Sequence, residues 1–436
     1  MLSSFGIKNF KSYREASLPL APLTVMIGAN ASGKSNAIEA LRFLSWIAQG
    51  NKLGAIRYAV QEADTTVRGK VSDLAIRESR SFTLSCETTD TGWNHYKIEI
   101  ELRDDDELHI VDERLTGPGS KVPLYEVVTP SRGAASDARV AYNNFARGGH
   151  KPQVICNDQM AILVQIQSSA RFEGGHKKAQ RVIPIITSKY QKWLSNILFL
   201  DPRPSVMREY SFKTERTLKE SGGNISGVLF NICLNKKLKN YALDFIRSLP
   251  EQNIKEISFI ETPRGEVMLE LTETFGQRDT NYDASLLSDG TLRVLSIAAA
   301  VLSAPRDSLV VIEEIDNGVH PSRAEQLLDK ISEIAKERGL RVLISSHNPA
   351  LLDALPDDAV PNVVFCYRDP SDGASRLVRL QDVPDYPELV AQGSIGHLMT
   401  RGILDRFVKH HPGPNERKKK ALDWLVATKG KTGSAR

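Results

Sequence analysis

Between Gly28 and Ser35 the chain reads GANASGKS, the spacing GxxxxGK[ST] in which glycines, a lysine and a hydroxyl serve one polyanion. The glycines let backbone N–H groups converge on a phosphate at a helix N-terminus, Lys34 neutralises the outer phosphates, and the Ser35 hydroxyl is a ligand for Mg²⁺. Asn30, Ala31, Ser32, Gly33 and Asn36 complete this cradle. Far downstream, Glu313 and Glu314 end the apolar run LVVI at 309–312. Carboxylates at the carboxyl end of a buried strand lie where open α/β sheets place ligands. One can hold Mg²⁺ through water while its neighbour polarises the attacking water, so Glu313 is expected on the metal and Glu314 on the water. His347 follows the strand-like RVLISS, where an imidazole can reach the γ-phosphate or the lytic water.

The elements that must position these groups are readable. LTVMI at 23–27 is a short apolar run of the kind buried on both faces of a parallel sheet. The helix after the loop places Ile38, Leu41, Leu44 and Ile47 on one face before Gly50 stops it. A second helix, 323–339, puts Leu327, Leu328, Ile331 and Ile334 on one face and Gly339 at its C-cap. A chance glycine turn, a solvated acidic strand end or a structural histidine would each explain one feature. Three strand-end polar groups in one sheet are not explained that way.

Composition narrows the rest. The 436 residues are 41% hydrophobic and 25% charged, the balance of an ordinary soluble protein of two or three domain-sized units. A net charge of +4 sets up no global field for nucleic acid, so such contacts must come from local patches. Cys86, Cys156, Cys233 and Cys366 lack CxxC spacing, which disfavours zinc and disulfides and fits a reducing interior. With no signal peptide and no apolar run of membrane-spanning length, the expected location is cytoplasmic, with no membrane partner.

Between the cradle and the acidic strand lies LLSDGTLRVLSIAAAVLS. Leu287-Ser288-Asp289-Gly290-Thr291 resembles the signature motif of ABC-type ATPases, and the full set is similar to a RecF/SMC-type ABC ATPase. IKNFKSY near the N-terminus, FLDP at Phe199, SGGNISGVL at Ser221, EEIDNGVHP and SSHNPALLD resemble the OLD-like bacterial AAA family ATPases, including ATPase subunits of antiphage systems such as Septu and PARIS. The resemblance implies an ABC-type P-loop NTPase that converts ATP and water to ADP and phosphate with Mg²⁺. It makes 28–36 the Walker A loop, Ser288 to Thr291 the signature, Glu313 and Glu314 the Walker B pair, 316–318 the D-loop region and His347 the switch histidine. Glu313 stands where the family usually has Asp. Gln61 is the candidate Q-loop glutamine, and Lys8 and Lys11 could reach phosphate or ribose. The signature implies a homodimer: Ser288 at a helix N-terminus is a second anion site, and two such sites for one γ-phosphate make sense across a two-fold interface, with ATP between the subunits.

The expected fold class is α/β, a mixed β-sheet ATPase head with an inserted α/β to helical lobe and no long coiled coil. The expected divisions are 1–85 and 251–375 for the two parts of the head, 86–157 for a β-rich insert, 158–250 for a helical lobe and 376–436 for a helical extension with a basic tail. Lys177, Lys178, Arg181, Lys236, Lys237 and Lys239 form basic clusters that could meet DNA or a partner, although solvated helix faces explain them better. Fewer than a hundred residues follow His347 and hold no acidic nuclease cluster, and HHPGPN at His410 lacks the flanking elements of an HNH site. The leading expectation is therefore an ATP-dependent switch, a dimer or a higher oligomer, controlling a separate effector, a nuclease encoded nearby, in antiphage defence. The alternative is a RecF/SMC-like DNA-binding ATPase of repair or chromosome maintenance.

Overall fold

The computed structural model describes residues 1–56, 66–133, 135–247, 253–316, 321–383 and 385–410. Gln61, residues 317 and 318 of the 316–318 D-loop assignment, and the 411–436 tail lie outside them.

The chain opens with β1 (Leu2–Phe10) and β2 (Tyr13–Pro19), then β3 (Leu23–Ile27), which is buried at every position. The cradle follows β3 directly and leads into the helix Lys34–Ala48. Strands β4 (Ser81–Thr88), β5 (His95–Leu102), β6 (Leu108–Gly117), β7 (Ser120–Thr129), β8 (Asp137–Tyr142) and β9 (Gln153–Asn157) form a meander. They join β1 and β2 in one eight-stranded antiparallel sheet of order β2-β1-β4-β5-β6-β7-β8-β9. The expected division at residue 85 thus falls inside β4, and the strands of 86–157 extend the sheet that β1 and β2 begin.

A second sheet carries the site. Strands β10 (Leu198–Leu200), β11 (Ser211–Phe212), β12 (Ile254–Glu261), β13 (Glu266–Phe275), β14 (Arg278–Asp283), β15 (Leu309–Ile312), β16 (Arg341–Ser346), β17 (Val364–Arg368) and β18 (Ser375–Arg379) complete the described strands. The six-stranded sheet has the order β10-β15-β16-β3-β17-β18. Its first five strands are mutually parallel and β18 closes the edge antiparallel to β17. Because the parallel strands share one direction, their carboxyl ends fall along one edge, with Leu200 level with Ile312, Ile312 with Ile344, and Ser346 with Ile27. The remaining strands, β11 to β14, make a separate four-stranded antiparallel sheet.

Alternation along the parallel strands divides the interior into two cores. Val25, Ile27, Val310, Ile312, Val342 and Ile344 pack with the helices Asp289–Ser303 and Pro321–Arg338. Met26, Leu309, Val311 and Leu343 face the other way, onto Ile38, Leu41, Leu44 and Ile47 of Lys34–Ala48. That helix is clamped between the two sheets, since Phe5, Phe10, Phe82 and Ile98 of the eight-stranded sheet reach the same core. Each large side chain so buried stabilises by about 1.5–3 kcal/mol relative to exposure, which fixes the P-loop between two layers. Leu327, Leu328, Ile331 and Ile334 are buried as the periodicity requires, and Gly339 takes φ 67° where that helix ends.

The segment 158–250 is helical over Ile162–Gln165, Lys177–Ser195, Pro204–Met207, Ile225–Cys233 and Lys236–Arg247, and it also delivers β10 to the central sheet. The longest helix among the described residues, Lys177–Ser195, has 19 residues, so no coiled-coil arm extends from them. The class is α/β with a mixed central sheet. No helix among the described residues is long and apolar enough to cross a membrane.

Candidate functional site

The cradle is held by close packing that only its own residues permit. Gly28 lies so near the next strand that a Cβ there would run into the Cys366 carbonyl, and Gly33, at φ 119°, faces the Ser375 hydroxyl and Tyr13. A side chain at Gly28 would displace backbone, and one at Gly33 would run into Ser375 in a left-handed conformation that suits only glycine. Ser375 Oγ donates to the Ser32 carbonyl at 2.7 Å, Tyr13 OH donates to the Gly33 carbonyl at 3.1 Å, and Asn36 Nδ2 donates to Ser12 Oγ at 2.8 Å. Ala31 sits at φ 63°, a left-handed conformation that a non-glycine residue holds only where its surroundings enforce it. Ser35 is exposed at the first turn of the helix, while Asn30 and Ala31 are exposed at the loop crest.

Lys34 folds back on this loop. Its Nζ donates to the carbonyls of Gly28 at 2.6 Å and Ala29 at 3.1 Å. Burial pulls its ammonium below the usual lysine range, while Cys366 and the carboxylates of Glu314 and Asp316 oppose the shift. The two acids that sense Lys34 are therefore Glu314 and Asp316, and both come from the turn after β15.

The Walker B pair divides physically. Glu314 adopts φ 46°, and its N–H donates to Ser345 Oγ at 3.1 Å, so the neighbouring strand secures the turn. Side chains alternate, so Glu313 emerges on the opposite face, toward Lys34–Ala48. There Arg42 Nη2 bonds its Oε1 at 2.7 Å, Arg42 also pairs with Glu220, and the guanidinium lies 4.6 Å over the Phe199 ring. Burial lifts the Glu313 carboxyl above its usual range; Arg42 opposes this, and Asp201 and Glu220 add to it. The metal role expected of Glu313 thus belongs to a carboxylate that already has a cation beside it.

His347 emerges from β16 and is half exposed, its Nδ1 3.1 Å from Asp316 Oδ2. The signature stands on another element. Ser288 caps the helix Asp289–Ser303, its Oγ accepting from the Thr291 N–H at 3.1 Å, while Arg208 bonds Asp289 at 2.6 Å and the Leu287 carbonyl at 3.0 Å. Ser288 is exposed, as is its neighbour Leu286, and Gly290 follows in the first turn. The structure groups residues 28–36, Glu314, Asp316 and His347, while Ser288 and Gly290 begin another helix, Asp289–Ser303.

Beside Asn36 an open cleft of about 800 Å³ is lined by Lys11, Ser12, Arg14, Asn36, Arg68 and Arg368, among others. Lys11 is engaged at its rim: it pairs with the buried Glu39 and donates to the Arg68 carbonyl at 2.7 Å, and Arg68 pairs with Glu39 as well. Lys8, on β1, lines a smaller pocket on the face of the eight-stranded sheet. Of the basic clusters, Lys237 pairs with Glu337, Lys239 with Glu256 at 3.2 Å, and Lys178 lies over Phe145.

The loop fits a polyphosphate: its conformation excludes side chains at Gly28 and Gly33, and among the described residues its lysine bonds only to loop carbonyls. For a divalent cation, no three His, Cys, Asp or Glu side chains converge among the described residues. The exposed Ser35 hydroxyl in the first turn is the donor that the cradle itself could offer Mg²⁺, which beside a polyphosphate takes most of its other oxygens from phosphate and water.

Sequence reasoning missed Arg42, Asp201 and Glu220. Of these, Asp201 alone had a signal, the FLDP motif, whose first residues become the strand beside β15 and whose aspartate follows it. It also missed Glu39, an acid within the apolar face of its helix.

Two family descriptions match parts of the chain: "AAA ATPase domain" over residues 1–114, and "AAA domain, putative AbiEii toxin, Type IV TA system" over residues 195–353. The first contains the cradle and the second the signature, the acid pair and His347. No curated protein matches the chain. Among solved structures, an SMC head bound to the C-winged helix domain of ScpA aligns at 16% identity over 86% of this chain and 96% of that one, TM-score 0.48. The SMC head domain from Thermotoga maritima aligns at 16% over 87% and 98%, TM-score 0.40. An Smc head with an extended coiled coil, bound to the C-terminal domain of ScpA and derived from Pyrococcus furiosus, aligns at 14% over 89% and 99%, TM-score 0.44. At these identities and TM-scores the likeness carries no inference about function. Residues 1–114 and 195–353 are thus each similar to an AAA ATPase domain, and the strand, loop and helix around Lys34 have the geometry of a P-loop.

Proposed function

We propose that the protein hydrolyses ATP to ADP and phosphate and acts as an ATP-dependent dimeric switch controlling a partner effector in antiphage defence. The observation that carries the catalytic part is the convergence of Lys34, Glu314, Asp316 and His347 at the carboxyl ends of adjacent parallel strands, one of which ends in the P-loop.

In this reading the backbone N–H groups of 28–36 and Lys34 bind the phosphates, the lysine exchanging loop carbonyls for phosphate oxygens. The cleft beside Asn36 has room for base and ribose. Glu314, held in its strained turn by Ser345, is the acceptor for the proton of the attacking water. Ser35 would hold Mg²⁺, which when bound offsets phosphate charge, and Glu313 would join it only by giving up its bond to Arg42. Ser288, exposed at the start of another helix, and Gly290 beside it would meet ATP held by a second copy, so that the nucleotide joins two subunits and its hydrolysis releases them. A higher oligomer built from such dimers is compatible with this arrangement. The defence role draws support from the toxin–antitoxin description of the family matching 195–353 and from the motif resemblance. The effector is then a separate protein, and the setting cytoplasmic.

The test is ATPase rate against protein concentration, with sedimentation in ATP and in ADP. Turnover that rises faster than linearly, with a dimer in ATP and a monomer in ADP, supports the switch. Linear turnover by an ATP-bound monomer overturns it. Strong stimulation by DNA in the purified protein alone would instead favour the repair or chromosome-maintenance reading.

A further inference from the structure

Asp316 differs from the other acids at the strand ends. Its side chain is 5% exposed, Oδ2 lies 3.1 Å from Nδ1 of His347, and Oδ1 meets no hydrogen-bond partner among the described residues. A buried carboxylate oxygen with no donor is unfavourable by about 1–3 kcal/mol or more. This one sits close enough to the P-loop for its charge to bear on Lys34.

The contact with His347 decides a point that the position of the histidine leaves open. At this separation an ionised carboxylate attracts an N–H and repels a bare nitrogen lone pair, so the tautomer with the proton on the facing Nδ1 is the favoured one. In the neutral ring the other nitrogen, Nε2, is then a bare acceptor. A phosphate oxygen is also an acceptor and cannot bond to it. A water molecule can, by donating.

We propose that Asp316 is the positioning residue of His347, holding it as the Nδ1–H tautomer so that Nε2 accepts from the attacking water rather than donating to the γ-phosphate. The inference rests on the ATPase reading above and assigns the histidine's partner within it. Glu314 still receives the water's proton; His347 fixes where that water stands. The ring is half exposed with Asp316 facing its Nδ1, and the charges of Asp316 and Glu314, both from the β15 turn, bear on Lys34 of the P-loop. The open Oδ1 gives Asp316 capacity for a further donor in the hydrated site, which an aspartate saturated by structural contacts would not have.

The first readout needs no nucleotide. In ¹⁵N-histidine-labelled protein, long-range proton–nitrogen correlation reports which ring nitrogen is protonated, and the His347 signals are those lost in His347→Gln. At a pH where the ring signals show it neutral, the wild type should be the Nδ1–H tautomer. Asp316→Ala should move it to the Nε2–H form, and Asp316→Asn, whose carbonyl can still accept, should restore at least part of the original population. In turnover, Asp316→Ala and His347→Gln should each lower kcat by about tenfold or more, with ATP affinity unchanged and Asp316→Asn intermediate. A wild-type ring already in the Nε2–H form, or a tautomer indifferent to Asp316→Ala, overturns the inference. If His347→Gln loses turnover and Asp316→Ala does not, the inference falls alone and the ATPase reading stands. If neither wild type nor variants hydrolyse ATP, the ATPase reading falls and takes the inference with it.

Discussion

Replacing Arg42 with methionine would keep most of the apolar stem and remove the guanidinium that Glu313 and Glu220 share. Side-chain exposures of 13% for Arg42, 23% for Glu313 and 44% for Glu220 rank the two pairs. The Glu220 pair is open to solvent, where screening leaves it little net worth. The Glu313 bond is a partly buried, charge-assisted hydrogen bond of about 1.5–3 kcal/mol, and the guanidinium over Phe199 adds about 0.5–1 kcal/mol. Arg42→Met should therefore cost about 2–3 kcal/mol at neutral to mildly alkaline pH. The pH dependence follows from the direction of the Glu313 shift. Burial holds that carboxyl above its ordinary value of 4.5, and Arg42 is the group that opposes the rise. Without Arg42 the folded-state pKa rises further above the unfolded one. The folded chain then retains a proton that the unfolded chain releases, so the deficit is full above the folded pKa and shrinks as pH falls toward the unfolded value. Urea midpoints at about pH 5 and about pH 8 read this directly, with the smaller deficit expected at the lower pH. Arg42→Met combined with Glu313→Gln should be less destabilised than the sum of the single changes, by about 1–2 kcal/mol. An equal deficit at both pH values, together with strict additivity, would show that Arg42 acts through packing alone.

Lys34→Ala should abolish ATP binding, since it removes the mobile cation of a loop otherwise built from backbone dipoles; an unchanged affinity in a binding titration would end the P-loop assignment. Glu314→Gln should bind ATP and stop hydrolysis, and if Glu313→Gln alone stopped turnover with Mg²⁺ still bound, the two roles would be reversed. Ser288→Arg should bind ATP but not dimerise around it, and mixing it with Lys34→Ala should recover part of the activity each lacks, because one composite site then carries both lesions and the other neither. Full ATPase activity in Ser288→Arg alone would contradict the shared site. Glu113, fully buried, accepts from Tyr125 OH at 2.9 Å and from the N–H groups of Ile162 and Leu163, and burial pushes its carboxyl up to about 7. The folded state thus binds a proton that the unfolded state releases, so stability should decline by about 3 kcal/mol as pH rises from the unfolded value through about 7. Glu113→Gln should flatten that slope, and an unchanged slope would place its source elsewhere.

What the sequence disclosed and what it hid have the same physical origin. LTVMI and LVVI were legible because strands buried on both faces must be continuously apolar, and the residue after such a strand has to lie at the sheet's edge; Gly28, Glu313 and His347 were placed by that rule alone. Neighbouring strands cannot be identified that way. Three residues, Leu198 to Leu200, are too few to show a period, so the strand that sets Phe199 and Asp201 beside β15 was recognisable only as part of a motif, and the segment around it read as helical. Arg42 was invisible for a related reason. One position beyond the apolar Leu41, it reads as a solvated arginine, and only the register of β15, which turns Glu313 toward Lys34–Ala48 and Glu314 away from it, gives Arg42 an acid to hold. The same alternation separates two carboxylates that sequence places side by side. One is joined to the helix behind the P-loop, the other belongs to the turn whose charge reaches Lys34, so adjacent acids of one motif face different cations. Asp316 follows from this geometry: two residues past Glu314 it returns to the nucleotide side, and there it meets His347 from the neighbouring strand.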